Sequence, residues 1–410
     1  MEKIENNDYC SFCGGHIQSL VETEQVEVFK SINQINVICS NCIASYADKL
    51  DEEEESETPE INFNLTPMDI VNEFNKIIIG QEDAKRSLAL AAYQHYQRIK
   101  SEQELDKTNI LLVGPTGSGK TLLAKTLAKA LNVPYHIVRA NSITETGYVG
   151  DDVESIVEGL LEKANGDPKL AEMGIVFIDE IDKIAKTSSP GVKDVSGLGV
   201  QNSLLTILED EDVVAYKKSE FRPSVTVNTK NILFIASGAF SGISEIANTR
   251  KNKNGTGIGF MAVKEKAVAD QQFKMGELLN EDFISFGLVP EFVGRFPVIT
   301  SLSGLSEVDI EKIIVEPENS ILKQYETLFA NENTKLVIED GVFREIAKIV
   351  LKNKTGARGL KGVFNNLFAN ALFEATTNKK PKICTITTND VITGQKAQIK
   401  LKQRVRNAKA

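Results

Sequence analysis

From Phe63 onward the apolar positions keep two rhythms. TPMDIVNEFNKIIIG and QEDAKRSLALAAYQHYQRI place apolar residues three and four apart, which predicts two helices separated at Gly80. Short unbroken apolar runs then alternate with helical stretches: NILLVG, TLLAKTLAKALN, PYHIVRA, DDVESIVEGLLEKA, GIVFIDE, VQNSLLTILED and NILFIAS. Short apolar runs of this kind read as strands. Strand in alternation with helix predicts a parallel sheet flanked by helices. After about Ser301 the spacing is mostly helical, through SEVDIEKIIVEPENSILKQYETLF, DGVFREIAKIVLK and LKGVFNNLFANALFEA, and predicts a smaller helix-rich domain.

The outer segments break these rhythms. Residues 1–49 hold two pairs of cysteines and few large apolar side chains. The run DEEEESETPE repels itself and reads as a flexible, extended linker over residues 50–62. The tail QKAQIKLKQRVRNAKA has six basic residues and no acidic ones, and reads as a frayed end or a partner contact. KNKNGTGIGF, Lys251 to Phe260, is loop chemistry. It nevertheless ends in Ile258-Gly259-Phe260, with two large apolar side chains on a tether. Either that tip folds back onto the core or it docks on something else.

Composition narrows the class. At 410 residues, 41% of them hydrophobic and 25% charged, the chain can bury a sizeable core. A net charge of −10 disfavours a general nucleic-acid binder. The polar, acidic start MEKIENNDYC does not read as a signal peptide, and no apolar run reaches membrane-spanning length. These features predict a chain of the cytoplasm or an equivalent reducing compartment, with no membrane partner. Scarce, paired cysteines there point to metal or redox chemistry rather than disulfides. Cys384, alone in the alternating segment KICTITT, reads as a small buried hydrophobe.

Three motifs carry chemistry. GPTGSGKT, Gly114 to Thr121, matches the phosphate-binding loop pattern, follows a strand-like run and opens a helix-like one. Glycines let backbone N–H groups curl around phosphate oxygens, and the helix adds its positive end. Lys120 is placed to reach the β- and γ-phosphates, and the Thr121 hydroxyl to ligate Mg²⁺. The nucleotide cradle so defined is Gly114, Pro115, Thr116, Gly117, Ser118, Gly119, Lys120, Thr121 and Leu122. In GIVFIDEID, Asp179 and Glu180 emerge at the end of a buried strand, where open α/β sheets place ligands. Asp179 is expected to hold Mg²⁺ and Glu180 to polarise the attacking water. Cys10-x-x-Cys13 and Cys39-x-x-Cys42 can supply four thiolates to one tetrahedral zinc, whose binding would stabilise a piece too small for a core of its own. Two redox pairs are the alternative, but neither pair sits in a βαβ context.

Taken together, the cysteine pairs, acidic run, phosphate loop and helical module resemble the ClpX family of AAA+ protein unfoldases along nearly the whole chain. The resemblance implies an α/β P-loop AAA+ module over residues 63–301, a small helical AAA+ domain over 302–395, a basic tail over 396–410, and a treble-clef or ribbon-like zinc domain over 1–49 that recruits substrates and adaptors and dimerises. It implies an ATP hydrolase working as a homo-hexamer with ATP, Mg²⁺ and Zn²⁺, unfolding tagged proteins and passing them to a ClpP-type peptidase. Ile78 and Ile79 in IIIGQ match positions that pack on adenine. Arg295 in VPEFVGR matches the arginine finger, and Arg358 in GARGLK the sensor-2 arginine; a permanently charged group suits both tasks. Ser237, at the end of NILFIAS, is the sensor-1 candidate. Tyr148 and Val149, flanked by glycines, match the pore loop that grips polypeptide. Ile258-Gly259-Phe260 matches the loop that docks on the peptidase, where apolar anchors dominate binding and repetition around a ring adds up weak contacts. KDVSGLGVQ resembles a second pore loop, with Leu198 where Glu is expected. No clear equivalent of a basic entry motif stands near Lys217, Lys218 and Arg222.

Three other readings compete, one of which, a zinc-dependent nucleic-acid protein using ATP, is disfavoured by the net charge. HslU-like unfoldases share ILFIASGAF and GYVG, but carry a large insert between the nucleotide motifs, and Lys120 and Asp179 are only 59 positions apart. A remodeller that never meets a peptidase would share the ATPase chemistry and leave the apolar loop tip without a partner.

Overall fold

Two short strands, Val28–Lys30 (β1) and Val37–Cys39 (β2), pair antiparallel with Phe29 opposite Ile38. They belong to the first of two units, Met1–Glu60 and Ile61–Ala410. The computed structural model describes residues 9–13, 28–30, 37–43, 61–101, 105–143, 152–186, 195–215, 224–254, 277–377 and 382–401.

The second unit opens with helix α1 (Pro67–Ile77). Thr66 and Asp69 close a reciprocal capping box at its start: the Asp69 N–H donates to Thr66 Oγ1 and the Thr66 N–H to Asp69 Oδ2. Helix α2 (Glu82–Lys100) follows a break at Gly80 and Gln81, both in the left-handed region. The strand-like runs then form β3 (Ile110–Val113), β4 (Tyr135–Arg139) and β5 (Ile175–Asp179). Between them lie α3 (Lys120–Leu131), α4 (Val153–Lys163) and α5 (Pro168–Glu172). Helix α6 (Val195–Leu208) leads to a two-stranded antiparallel ribbon, β6 (Asp212–Ala215) and β7 (Val225–Asn228). Strand β8 (Leu233–Gly238), helices α7 (Ile243–Asn254), α8 (Asn280–Phe286) and α9 (Pro290–Gly294), and strand β9 (Val298–Ser301) complete the first part of this unit.

Five strands form one parallel sheet in the order β4-β5-β8-β3-β9. Successive residues of each strand serve opposite faces. Val176, Ile178, Phe234 and Ala236 enter one core, while Ile175, Phe177, Leu233 and Ile235 enter the other. Two-sided burial is why these strands read as unbroken apolar runs. Full burial of a side chain such as Phe177 or Phe234 contributes about 2–3 kcal/mol.

After β9 come α10 (Glu307–Val315), α11 (Ile321–Asn331), β10 (Thr334–Ile338), α12 (Val342–Lys352), α13 (Gly359–Thr377), β11 (Lys382–Ile386), α14 (Thr388–Thr393) and β12 (Gln398–Leu401). This part is helical, as expected, but a three-stranded sheet accompanies the helices. Strand β10 runs parallel to β11, and β12 lies antiparallel on its other side. The basic tail is therefore drawn into the sheet at its start. Phe329, Ile346, Phe364 and Phe368 fill the core, together with a fully buried Cys384 whose thiol burial pushes up to about 12. Leu198, where an acidic residue was expected, lies in the first turn of α6 and packs against the main core. Burial accounts for the apolar residue there.

One ion pair ties α7 to α8. Arg250 Nε and Nη2 donate to Asp282 Oδ1 and Oδ2 at 2.8 and 3.0 Å, and the Leu279 N–H donates to Asp282 Oδ2 at 2.9 Å. The Asp282 carboxylate is fully buried. Asp282→Ala removes the counter-charge of Arg250 and the acceptor of Leu279, and is expected to cost about 3 kcal/mol in urea unfolding. A loss under about 1 kcal/mol would show the pair to be screened like a surface bridge.

Candidate active site

The parallel sheet sends the ends of β3, β5 and β8 to one edge, and the motif residues gather there. The loop from Val113 to Lys120 is held by backbone. The Leu302 N–H donates to the Val113 carbonyl at 2.7 Å, and the Gly114 N–H to the Gly238 carbonyl at 3.2 Å. Three glycines are fixed by what surrounds them. A Cβ on Gly114 would stand 2.6 Å from the Leu302 carbonyl oxygen. One on Gly117, at φ +81°, would stand 2.7 Å from the Thr355 carbonyl oxygen and 2.9 Å from Gly356 Cα. A Cβ on Gly356, at φ +56°, would in return stand 3.0 Å from Gly117 Cα. The turn Gly356–Arg358 of the helical part thus rests directly on the loop. Pro115 and Thr116 are exposed, Gly119 takes φ +105°, and the buried Ser118 hydroxyl has no hydrogen-bond partner among the described residues.

Lys120 heads α3 and is buried. Its Nζ donates to the Gly114 and Pro115 carbonyls at 2.6 and 3.0 Å. Burial pulls the ammonium down to about 8, against the opposing pull of Asp179 and Asp182, with Arg358 adding to the depression. Thr121 and the exposed Leu122 follow in the first turn. At the end of β5, Asp179 Oδ1 accepts from Ser237 Oγ at 2.6 Å and from the Glu180 N–H at 2.9 Å. Glu180 occupies the left-handed region at φ 60° and turns the chain into the single turn Ile181–Ile184. The structure brings together Gly114 to Leu122, Asp179, Glu180, Ser237 and Arg358. Thr121 and Asp179 offer oxygens of the kind a hard divalent cation takes.

Ile78 is packed into one of the two main cores, and Ile79 is partly exposed beside it. Arg295 is not brought to this edge. It precedes β9, at the opposite end of the sheet from the phosphate loop, across a four-residue strand of about 13 Å. There it pairs with Glu209 and lines a cavity of about 990 Å³ together with Arg98, Lys107 and Lys230. Tyr148, Val149, Ile258, Gly259 and Phe260 lie outside the described residues. One residue escapes sequence reasoning: Gln81, whose side chain joins the entry to α2 with Ser303 and the loop. Gly80 marks the backbone turn beside it, but nothing local marks a partner more than 200 positions away.

The four cysteines of the first unit form a separate centre. Their sulfurs all lie within 4.8 Å of one another. Cys10 Sγ to Cys42 Sγ and Cys13 Sγ to Cys39 Sγ are each 3.9 Å. A tetrahedron with Zn–S bonds of about 2.3 Å has edges of about 3.8 Å, so the set fits zinc. Burial opposes the Cys10 thiolate, but N–H groups of Cys13, Phe12 and Cys39 outweigh it and bring the thiol down to about 6. Such donors suit a sulfur that must ligate deprotonated.

The AAA domain (Cdc48 subfamily) family matches residues 105–299, and the C-terminal, D2-small domain of ClpB protein matches residues 305–388. The ATP-dependent Clp protease ATP-binding subunit ClpX of Borrelia duttonii (strain Ly) is 42% identical over 408 residues, covering 95% of this chain and 92% of its own length. The protein of the same name from Azotobacter vinelandii is 38% identical over 393 residues, covering 92% and 88%.

Two outcomes follow from this chemistry. Phosphate oxygens beside Lys120 favour its charged form, whereas the empty loop lets it lose its proton above about pH 8. Binding then takes up a proton, so affinity for a magnesium nucleotide falls above pH 8, by at most about tenfold per unit. Calorimetric titration across pH 7–10 reads this slope. Lys120→Arg, permanently charged, should flatten it, and an unchanged slope there would assign the titration elsewhere. For the cysteine centre, metal analysis of the full chain should find one zinc per chain. Chelation should speed amide exchange at 28–30 and 37–39 while sparing 110–113.

Proposed function

The chain belongs to the ClpX family of Clp protease ATP-binding subunits and is an AAA+ ATPase, and we propose that it spends ATP on unfolding proteins and threading them into a ClpP-type peptidase. The observation that carries this reading is the contact of Gly117 with Gly356. The phosphate loop and the helical part touch through bare backbone, a contact through which a change at the loop would press on the helical part. An ATPase whose loop bears on a second body is built to do mechanical work.

In this reading Thr121 and Asp179 hold Mg²⁺ with the nucleotide phosphates. Glu180 orients the attacking water. Ser237 donates its hydroxyl proton to the Asp179 carboxylate and keeps the other face of that group for the ion. Lys120 leaves its own loop carbonyls for the phosphates, and Arg358 approaches them from the helical part. Arg295 serves a nucleotide held by another copy, which its place at the far end of the sheet favours and which calls for a ring; a homo-hexamer is the family arrangement. Tyr148 and Val149 grip substrate, and Ile258-Gly259-Phe260 docks on the peptidase. The cysteine domain holds zinc and recruits substrates and adaptors. No described helix is long and apolar enough to cross a membrane.

ATP-dependent association with a ClpP-type peptidase, native chain against Phe260→Ala, tests the reading. Association that needs ATP and falls by at least about tenfold in the variant is expected, because one apolar anchor repeated around a ring is lost many times over. No association of active native chain with a competent cognate peptidase would leave a stand-alone remodeller.

A further inference from the structure

Between β9 and α10 the chain passes from the parallel sheet to the helical part through Leu302, Ser303 and Gly304. This crossing is pinned on both sides. On one side the Leu302 N–H donates to the Val113 carbonyl at 2.7 Å, and the Leu302 carbonyl oxygen closes on Gly114. On the other stands the Gln81 side chain. Its Nε2 donates to the Ser303 carbonyl at 2.9 Å, and its Oε1 accepts from the Ser303 N–H at 2.9 Å and from Ser303 Oγ at 3.3 Å. A longer contact of 3.5 Å runs from Nε2 to the Ser118 carbonyl inside the phosphate loop. The amide thus pairs with both backbone groups of Ser303, as a neighbouring strand would, and also reaches the loop.

The backbone of Gln81 makes this arrangement informative. It lies at φ 61°, ψ 36°, next to Gly80 at φ 67°. Glycine takes that conformation freely, whereas a residue with a Cβ does so at a cost. Gln81 does not cap α2 with its side chain. The amide is committed instead to the crossing and the loop. An uncommon backbone conformation held by such contacts points to a role for the side chain.

We propose that Gln81 is a positioning residue that fixes the crossing segment to the phosphate loop and so sets how the turn Gly356–Arg358 closes on a bound nucleotide. The proposal rests on the ATPase assignment but not on unfolding or on a peptidase. With Gln81 in place, Leu302 and Ser303 cannot swing away from the loop without losing the amide pair. The helical part then pivots after Gly304, and Arg358 meets the nucleotide from one direction. Without the amide, the crossing loses its tie to the start of α2 and the approach of Arg358 is less well defined.

Amide hydrogen exchange on the full chain, read over 302–305 and 354–358 with and without a slowly hydrolysed ATP analogue, tests this alongside steady-state ATPase kinetics. The native Ser303 amide should be protected, and saturating analogue should add protection at 354–358. Two variants separate the amide from the backbone. Gln81→Gly suits the left-handed conformation and removes the side chain; Gln81→Met keeps the length and removes the polar atoms. Both should speed Ser303 exchange by about tenfold and lose the nucleotide-dependent protection at 354–358. Both should lower kcat by about tenfold with a change in KM below about threefold, the split expected when positioning rather than ground-state binding is lost. A native Ser303 amide that exchanges unprotected overturns the proposal without any variant. So does a native nucleotide response at 354–358 retained in both variants, or a KM effect that matches the loss in kcat. If peptidase association fails while these results hold, the peptidase reading falls and this one stands.

Discussion

The phosphate loop is packed on bare backbone, and most of the second unit is arranged around that constraint. Gly114 admits the carbonyl of Leu302, and Gly117 admits Gly356. Either approach would be closed by one methyl group. The sheet order supports this arrangement, because placing β3 between β8 and β9 puts the Gly238 carbonyl beside the loop on one side and Leu302 on the other. The loop is therefore preformed, with its lysine folded onto its own Gly114 and Pro115 carbonyls. The buried ammonium hydrogen-bonds neutral carbonyls, with Asp179 and Asp182 offsetting part of the cost of burial, and a phosphate is the better partner.

Legibility from sequence followed the range of the interaction. The strands β3, β5 and β8 were readable because burial on both faces leaves no polar position within them. The phosphate loop was readable because glycine spacing, lysine and helix start all fall within eight residues. The cysteine pairs were readable for the same reason, since each pair is a local feature and a shared metal is the economical way to join them. Lys120, Asp179 and Glu180 followed from motifs. Arg295 and Arg358 had no local signal and came from resemblance to a family.

What was not readable depends on distant partners. TKLVI and KICTI pair as β10 and β11, but their sequences alternate like many half-exposed segments and nothing in either names the other. Ile399 joins that sheet from a tail whose charge reads as solvent-exposed. Leu198 departs from the expected acidic residue because its position faces the core, which no local pattern announces. Gln81 is the clearest case. Its sequence neighbourhood shows a helix start, while its side chain serves a segment that closes only when the sheet forms.

These long-range contacts also decide which way information can flow. The loop touches the crossing at Leu302 and the helical part at Gly356, so a ligand that favoured one loop geometry would have contacts through which to bias the placement of the helical part. Linkage would make such a relation reciprocal: a partner whose affinity the nucleotide altered would alter nucleotide affinity by the same factor. A hydrolysis site isolated at the strand ends, touching only its own sheet, would have no such differential contact and could not be coupled, however fast it turned over. The glycines at 117 and 356 therefore matter for more than the cradle's shape. At these two positions backbone meets backbone, with no Cβ between the loop and the helical part.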